Sequence, residues 1–177
     1  MQTFRLSPYL VNNIPRIEIA GEITRANNQL SIRYEIHGET DQIVFPAKSE
    51  SPLRKDDLWK ATCFEFFIAI PNQPDYWEFN MSPSGNWNIY HMDAYRRIGF
   101  REEPIITQLL FEFKKSTGGY ALDLLVDLDS IIQSRQVLQV GITAILQTND
   151  DNETYWALTH PGSQADFHLR ESFIISL

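Results

Sequence analysis

The chain has 177 residues, 43% hydrophobic and 21% charged, the balance of one soluble globular domain long enough to bury a full core. Fifteen Lys and Arg against 23 Asp and Glu leave a net charge of −8, which disfavours nucleic acid and anionic membrane as partners. The single cysteine, Cys63, excludes an intramolecular disulfide.

The opening "MQTFRLSPYL" has neither the basic start nor the apolar stretch of a signal peptide, so a cytoplasmic location is expected. Alternation then dominates. Ile17, Ile19 and Ile23 alternate with Glu18, Glu22 and Thr24; "NNQ" at 27–29 turns the chain; Leu30, Ile32, Tyr34 and Ile36 alternate with Ser31, Arg33, Glu35 and His37. This pattern predicts an antiparallel hairpin. A short strand follows at 43–45, and 46–57 reads as loop. A strand over 61–70 closes at "PNQP", and strands 76–82 and 86–92 flank "PSGN". After the charged loop "RRIGFREEP", strands 109–115 and 120–127 pair around "STGG". The stretch "LDSIIQS" (128–134) suits one short helix. Strands 137–148 and 153–158, the loop "THPGSQADFH" and a closing strand 172–177 complete the chain. Many short strands and at most one short helix predict an all-β fold, a two-sheet antiparallel β-sandwich spanning 1–177 as a single domain.

The strand after residue 60 has two unlike faces. Thr62, Phe64, Phe66 and Ile68 share a core parity, while Trp59, Ala61, Cys63, Glu65 and Phe67 share the other. In the next hairpin Trp77, Phe79 and Met81 share one parity, and Tyr76, Glu78, Asn80 and Ser82 the other. With Ser84-Gly85 as a two-residue loop, Trp87 joins Asn80; a three-residue loop reverses this and brings Asn88 and Tyr90 to Asn80 instead. Trp59, Glu65, Asn80 and Trp87 then line one sheet face, within reach of Arg96 or Arg97 from the following loop and Trp156 from the late strand. Indoles cover the C–H faces of a pyranose, and Glu, Asn and Arg meet its hydroxyls, so the set suits a small polar ligand of saccharide type.

In order, "DLWKATCFEFFI", "YWEFNMSPSGNWNIYHMDAYRR", "GGYALDLLVDL", "LQVGITAIL" and "YWALTHPGSQADFHLRESF" resemble the DOMON-like superfamily, in particular its branch related to family 9 carbohydrate-binding modules. The resemblance spans roughly residues 15 to 177. It implies a β-sandwich that binds sugars or haem and performs no chemistry itself. Residue by residue, it implies ligand-binding roles for Trp59, Glu65, Asn80, Arg96 or Arg97, and Trp156.

Three other readings stand beside this one. Haem binding has candidate ligands in Met81, Met92, His91, His160 and His168. A hydrolase-type activity or metal site has His160, Asp166 and His168 close in sequence. A structural or interaction domain needs no small ligand at all.

Overall fold

The computed structural model describes residues 1–9, 14–95 and 101–177. Twelve strands form among them. They are β1 (Gln2–Pro8), β2 (Ile17–Ala26), β3 (Gln29–Gly38), β4 (Cys63–Ala69), β5 (Tyr76–Met81) and β6 (Trp87–Met92). After these come β7 (Arg101–Glu102), β8 (Leu110–Ser116), β9 (Gly119–Asp127), β10 (Gln139–Gln147), β11 (Glu153–Ala157) and β12 (Ile175–Ser176). The strand pairs are antiparallel, in the order β7-β6-β5-β4-β10-β11-β1-β2-β3-β9-β8, with β12 joined to β10.

Turn chemistry sets the register. In the β2–β3 hairpin, Ala26 pairs Gln29 across a two-residue loop, and Asn27 and Asn28 both take positive φ (49° and 60°). That is the demand of a type I′ turn, and Asn tolerates it. The β8–β9 hairpin closes Ser116 on Gly119, with Gly118 at φ +82°.

β1 is the seam. Its Gln2–Leu6 stretch pairs β2, and Ser7 and Pro8 pair β11. The sheet therefore curls, and its two halves face each other. Tyr34 of β3 lies 5.3 Å from the Phe64 ring of β4, and Phe64 lies 5.9 Å from Phe113 of β8. Ile19, Ile32, Ile36, Phe66, Phe79 and Ile142 fill this core, with Phe66 and Phe79 stacked at 4.3 Å.

A second buried cluster lies on the outer face of the β4 half. Phe67, Tyr76, Tyr90, Ile145, Phe167 and Phe173 form it. The segment after β11 supplies Phe167 and Phe173, and covers this face. Gly141 of β10 makes the cover close: a Cβ there would stand 2.7 Å from the Phe173 ring. All seven residues of β4 are therefore buried.

No helix forms over 128–134. The Ile132 N–H donates to the Leu128 carbonyl at 2.8 Å, one turn only. Seven residues return too few hydrogen bonds to offset nucleation. The segment is held instead by Asn28 Nδ2 donating to the Ile132 carbonyl at 2.7 Å and Arg25 Nη1 donating to the Gln136 carbonyl.

Candidate functional site: the outer face of β4, β5 and β6

Alternation in β4 sends Phe64, Phe66 and Ile68 to the core and Cys63, Glu65 and Phe67 outward. Register then aligns two outward rows. Glu65 pairs Asn80, which pairs Asn88; Phe67 pairs Glu78, which pairs Tyr90. Two carboxyls, two amides and a phenol are thus gathered on neighbouring strands, all of them buried.

Most of their polar atoms are partnered. Asn80 Nδ2 donates to Glu78 Oε1 at 2.8 Å, and Thr143 Oγ1 donates to Glu65 Oε2 at 3.4 Å. Asn88 Oδ1 accepts from Arg54 Nη1 at 2.9 Å. The Tyr90 hydroxyl donates to Asp56 Oδ1 at 2.6 Å, and Asn88 Nδ2 lies 2.9 Å from Glu102 Oε1. Two atoms are left over. Glu65 Oε1 and Asn80 Oδ1 are buried without a hydrogen-bond partner, although Glu65 and Asn80 are direct cross-strand neighbours. Each such unmet atom costs about 1–3 kcal/mol; Asn80 Oδ1 is an acceptor, and Glu65 Oε1 is one while its carboxyl is ionised.

Burial pushes the Glu65 carboxyl well above the usual range, and the neighbouring Glu78 charge adds to the rise. Burial raises Glu78 to about 7, against the opposing donation from Asn80. Burial also pushes the Cys63 thiol and the Tyr90 hydroxyl up, with Glu65 and Asp56 contributing in turn. A thiol held protonated in this way is a poor nucleophile.

The rim is less enclosed. Trp59 is half-buried and meets Tyr90 edge-on at 5.9 Å between ring centres. Asp56 and Glu102 are exposed. His168 shares a 2.9 Å hydrogen bond with Tyr76 through Nδ1, and its Nε2 stands 4.0 Å from Glu78 Oε2.

The structure brings together Trp59, Glu65 and Asn80 from the set suggested by the sequence. It corrects how they are placed. Trp59 stands on the 3-10 turn Leu58–Lys60 rather than on a strand, so strand parity does not carry it. Glu65 faces outward but is only 2% exposed, on a face that is covered rather than open. Trp87 packs in the core between the sheet halves. The β5–β6 loop holds three residues, Pro83 to Gly85: Met81 pairs Trp87, Ser82 N–H donates to the Asn86 carbonyl, and Gly85 takes φ +91°. A three-residue loop of this kind ends in a left-handed glycine. It reverses the face of every β6 residue and brings in Asn88 and Tyr90. Trp156 also belongs to the core, opposite Ala144, with its indole N–H donating to Thr154 Oγ1. Arg96 and Arg97 lie outside the described residues.

Of the residues of the other readings, Met92 and His168 both flank Tyr76. Met81 lies in the core, while His91 stacks on Trp77 at 4.5 Å. His160 Nε2 is 2.9 Å from the Ser7 carbonyl, whereas Asp166 accepts from Tyr95 and from the His168 backbone. Among the described residues no three His, Cys, Asp or Glu side chains are grouped to hold a metal ion.

Glu78 and Tyr90 stand on this face as well. Glu78 shares the parity of Asn80 and was available from that signal. Tyr90 required the loop length.

Neither a protein-family model nor a curated protein sequence matches the chain. Several solved structures match its fold. One is a protein from Bacteroides uniformis provisionally classed as carbohydrate-binding, 13% identical, with a TM-score of 0.67 over 97% of this chain and 84% of that one. Another is a family 9 carbohydrate-binding module from Caldicellulosiruptor kristjanssonii in complex with cellotriose. It is 10% identical, with a TM-score of 0.53 over 92% of this chain and 74% of that one. The resemblance to family 9 modules is thus met at the level of fold; nothing in these matches bears on the wider DOMON-like resemblance.

Proposed function

We propose that the protein binds a saccharide on the outer face of β4, β5 and β6 and leaves it chemically unchanged. The observation that carries this reading is the adjacent pair of buried polar atoms without a hydrogen-bond partner, Glu65 Oε1 and Asn80 Oδ1. A sugar supplies what they lack. Vicinal hydroxyls donate to two acceptors at once, while the C–H face of the ring suits the indole of Trp59 on the rim. Such a pairing would return the desolvation cost of the two atoms as binding energy. The carbohydrate-binding description of both fold neighbours supports the reading at the level of fold.

A glycan array, followed by titration of tryptophan fluorescence with the best ligand, tests it. Trp59→Ala should weaken binding about tenfold, the equivalent of roughly 1–1.5 kcal/mol for one stacked ring. Its melting temperature should fall only modestly, because the ring is already partly exposed where it packs against Tyr90. An array without hits, or affinity indifferent to Trp59→Ala and Glu65→Gln, would remove the site.

A further inference from the structure

We propose that two copies of this chain join edge to edge through β8, antiparallel, about a two-fold axis at Phe113.

β8 offers an open edge. It ends the sheet order, and among the described residues β9 is the one strand paired to it. The hairpin closes Ser116 on Gly119 across a two-residue loop, which makes them a hydrogen-bonded pair and turns the backbone groups of Ser116, Lys114 and Glu112 to β9. Phe111, Phe113 and Lys115 therefore present their N–H and C=O groups on the other side, where no described backbone group meets them. A row of this kind is a template for another strand. An open groove of about 700 Å³ borders the edge, lined by Leu109, Phe111 and Phe113 together with Pro52, Pro83 and Trp87, and leaves room for an arriving strand. Beside it Leu110 and Leu125, paired across β8 and β9, stand 58% and 46% exposed.

The side chains choose the occupant. On the outer face Glu112 lies opposite Asp123, and Lys114 bridges these like charges at 3.0 and 3.1 Å. With the axis at Phe113, Glu112 of each copy stands opposite Lys114 of the other, a complementary pair made twice. On the inner face Phe113 meets its own counterpart, extending the stack it makes on Tyr120 at 5.2 Å, and Phe111 meets Lys115, whose ammonium suits the ring. Leu110 comes opposite Ser116 and gains cover. An axis at Glu112, Lys114 or Lys115 sets that residue against its own charge, so "LFEFKKS" favours one register. Lysine on an edge strand ordinarily deters pairing; in this register one lysine finds an acid and the other a ring.

The axis runs normal to the sheet, so the two copies turn the outer faces of β4, β5 and β6 to the same side. On the saccharide reading, a dimer then meets a glycan surface with two sites at once. The self-pairing itself does not depend on that reading.

Sedimentation velocity of the full chain, from micromolar to millimolar concentration, tests the pairing. A reversible monomer–dimer equilibrium is expected, weakened by salt. Glu112→Lys and Lys114→Glu should each weaken it at least about tenfold, since each sets like charges face to face twice. The two variants mixed in equal amounts, and the double variant alone, should regain it, because opposite charges then face each other again. Lys115→Pro removes an N–H on the open side, leaves the ladder to β9 intact, and should also weaken association. Melting temperatures confirm that each variant is folded. A chain that stays monomeric at every concentration, a dimer indifferent to the charge reversals, or folded variants whose mixture stays monomeric would overturn the proposal.

Discussion

Replacing Glu78 by Gln should stabilise the protein, and by an amount that grows with pH. Glu78 is buried in the row next to Glu65, and its carboxyl is raised from 4.5 to about 7. As pH rises past 4.5 the unfolded chain releases this proton while the folded chain keeps it until about 7. The folded state therefore binds more protons in that window, and the stability associated with Glu78 declines across it and levels off above. The rise is worth about 3 kcal/mol at 1.36 kcal/mol per unit. Gln keeps an oxygen to accept from Asn80 Nδ2 and carries no charge. Relative to the wild type, Glu78→Gln should be neutral near pH 4.5 and more stable by up to about 3 kcal/mol at pH 8, a shift of roughly 6–12 °C for a chain of this size. Urea denaturation followed by tryptophan fluorescence at pH 5, 6, 7 and 8 measures the difference directly. A difference that stays flat with pH, or narrows as pH rises, would refute the reasoning. The ion-paired Asp123 titrates in a separate window. Burial opposes it, but donation from Arg33 and Lys114 holds its carboxyl below 3.8, so its contribution is present above that value and lost only as pH falls below it.

The remaining predictions concern packing. Trp87→Ala and Trp156→Ala should each cost about 3–5 kcal/mol in urea denaturation, the range for emptying a core aromatic site. A cost near zero for either would return it to the surface. Gly141→Ala should destabilise by about 1–3 kcal/mol, since the added methyl meets the Phe173 ring at 2.7 Å and displaces the cover of the outer face. Increased proteolysis within the 158–173 segment is the accompanying readout.

Much of the fold was legible because the alternation of Phe64, Phe66 and Ile68 has one physical solution, a strand with that parity against a core. The Asn27-Asn28 and Gly118 turns were legible for a similar reason, since few residues adopt their positive φ. Trp59 reached the expected face for a different cause: its 3-10 turn carries it there, and spacing from Glu65 had no bearing. The face of Trp87 depended on one residue of loop length, and the local sequence "SPSGN" is compatible with both counts until Gly85 is seen at φ +91°. The burial of Glu65 was not legible from its neighbours. It follows from Phe167 and Phe173, about a hundred residues away, folding over Phe67 and Tyr76. Long-range cover of this kind leaves little trace in strand periodicity.

The most direct measurement is a two-dimensional amide NMR titration of the labelled protein with the best sugar from the array. The account predicts that the largest shifts fall on the side-chain amides of Asn80 and Asn88, the indole of Trp59 and the backbone of β4 around Glu65, with the sheet half carrying Arg33 and Asp123 unchanged. Shifts concentrated on that opposite half, or a spectrum unmoved by saturating sugar, would contradict it.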